Sequence, residues 1–149
     1  MLKGAAATLA SGSLVAALKV EDSMASTQSE VMALLESWSD AARTKDIDRH
    51  TGSSAVRGNF LRWFDMYEGP IGLTIRDVNI LASGDSAVAY TLIRASGTLK
   101  DGREVGYWVR ATVCCQRSDH RWLIAHEHIS LPVDFKSGRA LMDLVPDVT

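Results

Sequence analysis

Four stretches between Leu73 and Ser130, each of strand length and separated only by short turns, leave the second half of this chain few ways to fold. Leu73 to Ala82, Ala87 to Leu99, Glu104 to Arg117 and Arg121 to Ser130 are rich in β-branched, aromatic and small apolar residues. The links are Ser83-Gly84-Asp85, Lys100-Asp101-Gly102-Arg103 and Ser118-Asp119-His120, and the Asp-Gly pair in the second favours a tight hairpin. Links this short cannot hold the crossover that parallel strands need, so the four strands form an antiparallel meander. Pro132 stops the last of them.

The first half reads as helix. Thr27-Gln28-Ser29-Glu30 has the form of a capping box, and Val31, Leu34, Leu35, Trp38, Ala41 and Ala42 then recur at helical spacing. This predicts a helix from about Ser26 to Lys45. A second, from about Ala55 to Tyr67, carries Phe60, Trp63, Phe64 and Tyr67 on one face and ends at Gly69-Pro70. His50-Thr51-Gly52-Ser53-Ser54 reads as a turn-like link. The expected organisation is a leader over 1–25, flexible or loosely helical, one α+β domain over 26–145, and a tail over 146–149. Lys3 and the weakly apolar run from Gly4 to Leu18 give a cleaved export signal as the alternative for the leader.

With 149 residues, the chain can bury a core without disulfide or metal staples. Its formal charge of −2 provides no basic stripe, so neither nucleic acid nor a membrane surface is expected as a partner. Cys114 and Cys115 are neighbours in a strand, pointing to opposite faces, and read as small apolar residues in a reducing, cytoplasmic compartment. No phosphate loop, dinucleotide fingerprint or nucleophile elbow is present. No cofactor is called for, and no metal, since His126 and His128 lack a third ligand at motif spacing.

Strict alternation sorts the last three strands into two faces. One holds Tyr90, Leu92, Arg94 and Ser96, then Trp108, Arg110, Thr112 and Cys114, then Trp122, Ile124, His126, His128 and Ser130. The other holds Ala89, Thr91, Ile93 and Ala95, then Val109, Ala111, Val113 and Cys115, then Leu123, Ala125, Glu127 and Ile129. The first mixture suits a surface lining a semi-polar cavity under the helices. The second, small and apolar, would then need cover from a second copy, which predicts a homodimer with sheets back to back.

The runs Trp63-Phe64, Gly69-Pro70-Ile71-Gly72, Ser96 to Arg103, Trp108-Val109-Arg110-Ala111-Thr112 and Trp122 to Pro132 resemble, in this order and spacing, the SnoaL-like branch of the nuclear-transport-factor-two-like superfamily. The resemblance covers about Ser26 to Leu144. It implies a cystatin-like cone, a curved antiparallel sheet packed on N-terminal helices, and relatives that include ketosteroid-isomerase-like and polyketide-cyclase-like enzymes beside non-catalytic assembly modules. The hairpin-sized segment such proteins carry between the first helix and the aromatic helix is shortened or missing between Ile47 and Ala55.

Two functions follow. In the first, a small hydrophobic carbonyl or carboxylate compound is bound, with His126 or His128 as acid/base and with Arg94 and Arg110 holding developing negative charge. Tyr90, Trp108 and Ser130 complete the expected ligand site. Structural ion pairs for the arginines and structural hydrogen bonds for the histidines are the alternatives at these positions. In the second, the cavity is sensory or vestigial and the chain is a ligand-sensing or dimerisation module.

Overall fold

The computed structural model describes residues 9–50 and 54–147. Three helices, α1 (Leu9–Arg43), α2 (Ile47–His50) and α3 (Ser54–Asp65), precede four strands, β1 (Gly72–Ser83), β2 (Ser86–Thr98), β3 (Glu104–Ser118) and β4 (Arg121–Ser130). The strands form one antiparallel sheet in the order β1-β2-β3-β4, which is the meander the turn spacing predicts. No strand lies between α1 and β1 among the described residues. No described helix is long and apolar enough to cross a membrane.

The first helix begins at Leu9, well before the capping box, so Thr27 and Glu30 sit inside it and cap nothing. The Glu30 carboxylate is used across the fold instead. It accepts hydrogen bonds from Arg117 Nη2 at 2.9 Å and Trp122 Nε1 at 2.9 Å, and the Arg117 guanidinium lies over the Trp122 ring at 4.8 Å. These contacts pin the middle of α1 to the β3–β4 hairpin. The earlier part of the expected leader, residues 1–8, and the centre of the expected turn, residues 51–53, lie outside the described residues.

The end of α1 is a Schellman motif with lysine in the left-handed position. Lys45 has φ 58°, its N–H donates to the Ala42 carbonyl, and the Asp46 N–H donates to the Ala41 carbonyl. Lys45 Nζ then donates to the Tyr67 carbonyl at 2.6 Å, joining the helix end to the segment after α3. Tyr67 itself bridges to Leu99, and its ring packs so closely on Gly97 (φ 153°) that a Cβ there would lie 3.0 Å from it.

The helices cover the small apolar face of the sheet, the reverse of the expectation from alternation. Val31 and Leu35 pack with Ala87, Ala89, Val113, Cys115 and Trp122, and Trp38 packs with Ile93, Val109 and Ala111. One long helix lying along β1 and β4 covers the face that the sequence analysis assigned to a second copy. Burying each large member of this stripe stabilises the fold by about 1.5–3 kcal/mol. The face expected to line a cavity, with Tyr90, Arg94, Arg110, His126 and His128, is the outer one, where each of these residues is exposed.

Two bulges reconcile both faces with the sequence. In β1, Asp77 and Val78 stand opposite Thr91 alone, with Asp77 at φ 54° and Thr91 Oγ1 donating to the Arg76 carbonyl at 2.7 Å. In β4, Cys114 pairs with His126 but Cys115 with Ile124, leaving Ala125 as the extra residue. An extra residue reverses the parity of a strand beyond it. Leu73 and Ile75 therefore share the helix-covered face with Val78, Ile80 and Ala82. Trp122 and Ile124 likewise turn inward, while Leu123 and Ala125 turn outward, correcting the uninterrupted alternation expected of β4. Such bulges also curve the sheet.

Beyond β4 the chain forms a tight turn in which the Asp134 N–H donates to the Arg139 carbonyl and the Gly138 N–H to the Asp134 carbonyl. It then returns to β1, where Arg76 Nη2 donates to the Asp147 carbonyl at 3.1 Å.

Candidate functional site

At one end the sheet and the helices enclose a cavity of about 350 Å³. Its floor is the inner face of the sheet, with Leu73, Ile93, Ala95 and Val109. Trp38 and Ala42 of α1 and Phe60 and Trp63 of α3 form its walls, and Ile129 to Leu131 close the β4 side. Among the described residues no Lys, Arg, Asp or Glu lines it. The volume falls at the lower end of the range for small-molecule sites, and the lining is of the expected kind, mostly apolar with few polar groups.

The most constrained of those polar groups is His50, the last residue of α2, which is only 6% exposed. Its ring stacks on Trp38 at 5.0 Å and meets the edge of Phe60 at 4.3 Å. Nδ1 lies 3.2 Å from the Trp38 carbonyl oxygen. A carbonyl only accepts, so Nδ1 carries the proton and donates, and Nε2 of the neutral ring is left with a lone pair. That Nε2 is buried and has no partner among the described residues. Burial holds the imidazole below its ordinary range, outweighing the opposing effect of the bond to Trp38.

Tyr107 stands on the cavity floor and its hydroxyl accepts from Trp63 Nε1 at 3.3 Å. Next to it, burial and the hydrogen bond with Tyr107 raise the Tyr67 phenol well above its usual value. The Tyr67 phenol is a neutral structural group at any physiological pH. The Cys115 thiol, buried under α1, is pushed up to about 11 by burial first and by neighbouring Cys114 second, and both thiols are free. A thiol so placed is inert.

Of the residues singled out from sequence, Ser130 alone lines this cavity. Tyr90, Arg94, Trp108, Arg110, His126 and His128 belong to the opposite face of the sheet, because β2 and β3 present their small residues to the helices. They do come together there: Arg94 pairs with Trp108, Arg110 with Leu92 and Ser130, and His128 with Thr112, which pairs with Tyr90. Arg76 from β1 joins them, its guanidinium 5.7 Å from the Trp108 ring. The group is a solvent-facing patch, not the lining of a hollow. Among the described residues no three His, Cys, Asp or Glu side chains gather as a metal site requires.

Sequence reasoning missed His50 and Tyr107 as cavity residues. Tyr107 was within reach, since Val105, Tyr107, Val109, Ala111 and Val113 alternate on the small apolar face. His50 carried no local signal, because its burial comes from three aromatic rings on two helices.

Residues 33–134 match the model of the SnoaL-like domain family. No curated protein matches the chain. Among solved structures, the chain is similar to an NTF2-like protein of unknown function from Pseudomonas putida, with 28% identity and a TM-score of 0.71 over 82% of this chain and 98% of that one. It also shares the fold of the association domain of C. elegans CaMKII, with 16% identity and a TM-score of 0.57 over 73% of this chain and 98% of the other. A protein of unknown function with a cystatin-like fold from Nostoc punctiforme gives 11% identity and a TM-score of 0.57, over 68% of this chain and 88% of that one. With its helices packed on a curved four-stranded antiparallel sheet and the family match spanning α1 to the turn after β4, the chain belongs to the SnoaL-like family and has the α+β cone fold of the NTF2-like proteins.

Proposed function

We propose that this protein binds a small, flat, apolar molecule in the cavity between α1, α3 and the inner face of the sheet. One observation carries the reading: an aromatic-walled hollow of about 350 Å³ has the buried imidazole of His50 in its lining. Trp38, Phe60 and Trp63 supply flat walls for a ring system. If a reaction is catalysed, His50 is the imidazole in the cavity lining, where the sequence assigned the acid/base role to His126 or His128.

A thermal-shift screen of neutral aromatic compounds tests this, followed by calorimetry on the compounds that stabilise. Ala95→Phe, which fills the floor of the cavity, is expected to abolish binding. Arg94→Ala and Arg110→Ala, on the outer face, are expected to leave it unchanged. Binding that survives Ala95→Phe but is lost in the arginine variants would transfer the site to the outer face and end the proposal.

A second reading concerns assembly. The outer face bears exposed Val88 and Tyr90, the latter 45% exposed, beside Arg94 and Arg110. We read this face, and not the one covered by α1, as the surface of a homodimer. Light scattering is expected to give a dimer mass that falls to monomer in Tyr90→Glu, and a monomer at every concentration would refute it.

A further inference from the structure

We infer that the outer face of the sheet receives the acidic arm that follows β4, residues 140–147, from a second copy of the chain. Asp143 of one protomer meets Arg94 and Arg110 of its partner, and the two-fold repeats the contact. This rests on the outer face being the homodimer surface.

The outer face gathers positive charge that its own chain leaves unbalanced. Arg110 stands opposite Leu92, so Arg94, two residues along β2, is its diagonal neighbour. Like charges within reach of each other repel. Arg94 is laid across the sheet surface, where a Cβ on Gly106 would come within 2.6 Å of its Nη2. Arg76 on β1 pairs with Asp77, but among the described residues no carboxylate pairs with Arg94 or Arg110.

The arm carries the complementary charge. From Ala140 to Thr149 the sequence holds Asp143 and Asp147 and no Lys, Arg or His. Both ends of the arm border the outer face. The Leu141 N–H donates to the carbonyl of Pro132, two residues past Ser130, which pairs with Arg110. At the other end the Asp147 carbonyl accepts from Arg76 Nη2. Pinned at these two points, the arm leaves Asp143 exposed and without an ion pair among the described residues. Met142, Leu144 and Val145 are exposed beside it. Their burial against a partner would shield the charge pair from water, where an exposed pair contributes little.

Charge reversal in the full chain tests this, read by light scattering and sedimentation equilibrium. Asp143→Arg is expected to weaken the dimer about tenfold, and Arg94→Glu with Arg110→Glu to do the same. A chain carrying all three substitutions exchanges the signs and is expected to dimerise within about threefold of the natural protein. If Asp143→Arg dimerises like the natural chain while Tyr90→Glu is monomeric, the inference falls and the outer-face dimer stands. A triple variant no tighter than Asp143→Arg alone also overturns it. Should a reversed chain not fold, the natural protein in rising salt decides. Weakening of the dimer as screening grows is expected, and a dimer indifferent to salt overturns the inference. If the natural protein is monomeric at every concentration, both readings fall.

Discussion

The rings of Trp38 and His50 stack at 5.0 Å while the carbonyl oxygen of the same tryptophan lies 3.2 Å from His50 Nδ1. One residue therefore supplies both the wall that buries the imidazole and the acceptor that fixes its tautomer. This coupling decides how the site responds to pH, because a proton added to Nε2 places a charge in an aromatic cage with no counter-ion among the described residues that line the cavity.

The folded pKa of His50 is lowered, so well above its ordinary value of 6.5 the ring is neutral in both folded and unfolded chains. As pH falls below 6.5 the unfolded chain takes up the proton first, and stability declines until the folded pKa is reached. Urea unfolding across this range is expected to show the decline in the natural protein and a flatter profile in His50→Phe. Parallel profiles would show that His50 is not the group responsible.

Glu127 acts in the opposite sense. Its pairing with Val113 puts it on the helix-covered face, where burial raises its carboxyl above the usual 4.5. The folded state then holds the proton more firmly than the unfolded one. The resulting stabilisation is full below 4.5 and is lost as pH rises through the folded pKa, so the ionised form is a burden at neutral pH. Glu127→Gln is expected to raise the melting temperature at neutral pH, with the gain shrinking on acidification. A variant less stable at neutral pH would mean the carboxylate has a favourable partner.

Glu30 ties α1 to the β3–β4 hairpin through Arg117 and Trp122. Removing its carboxylate leaves a half-buried guanidinium and a buried indole N–H without their acceptor. Glu30→Ala is expected to cost about 1–2 kcal/mol by denaturant unfolding, and Trp122→Ala about 3–5 kcal/mol. If the two losses add in the double variant, the hydrogen bond between them carries no coupling energy.

Ala125 is the residue that reverses parity in β4. Deleting it restores plain alternation with Trp122 and Ile124 still inward and His126 and His128 still outward, so the fold is expected to survive. Inserting a second alanine beside it turns Trp122 outward and is expected to remove most of the roughly 3–5 kcal/mol its burial supplies. Circular dichroism and melting of the two variants check this, and a deletion more damaging than the insertion would refute the assignment of the bulge.

The order of elements, the meander and the aromatic stripe of α3 were legible in the sequence, because hairpin turns and helical or strand periods are local properties. β4 occupies the span read from the sequence, Arg121 to Ser130, and the two cysteines fall on opposite faces as alternation requires. Helix α1 was legible in its stripe but not at its start. The Thr27–Glu30 pair has a capping pattern, yet Glu30 finds better use on Arg117 and Trp122, partners far away in the chain.

Which face of the sheet the helices would cover was a tertiary decision. Alternation divides a strand into two sets but cannot say which is inside, and one bulge residue reverses the answer beyond it. The small side chains of Ala89 and Ala111 let α1 approach closely, which a face of arginines and histidines would not. His50 shows the same limit most plainly. Nothing within a few residues of it marks it as buried, and it becomes a buried acceptor only when Trp38, Phe60 and Phe64 converge on it from two other helices.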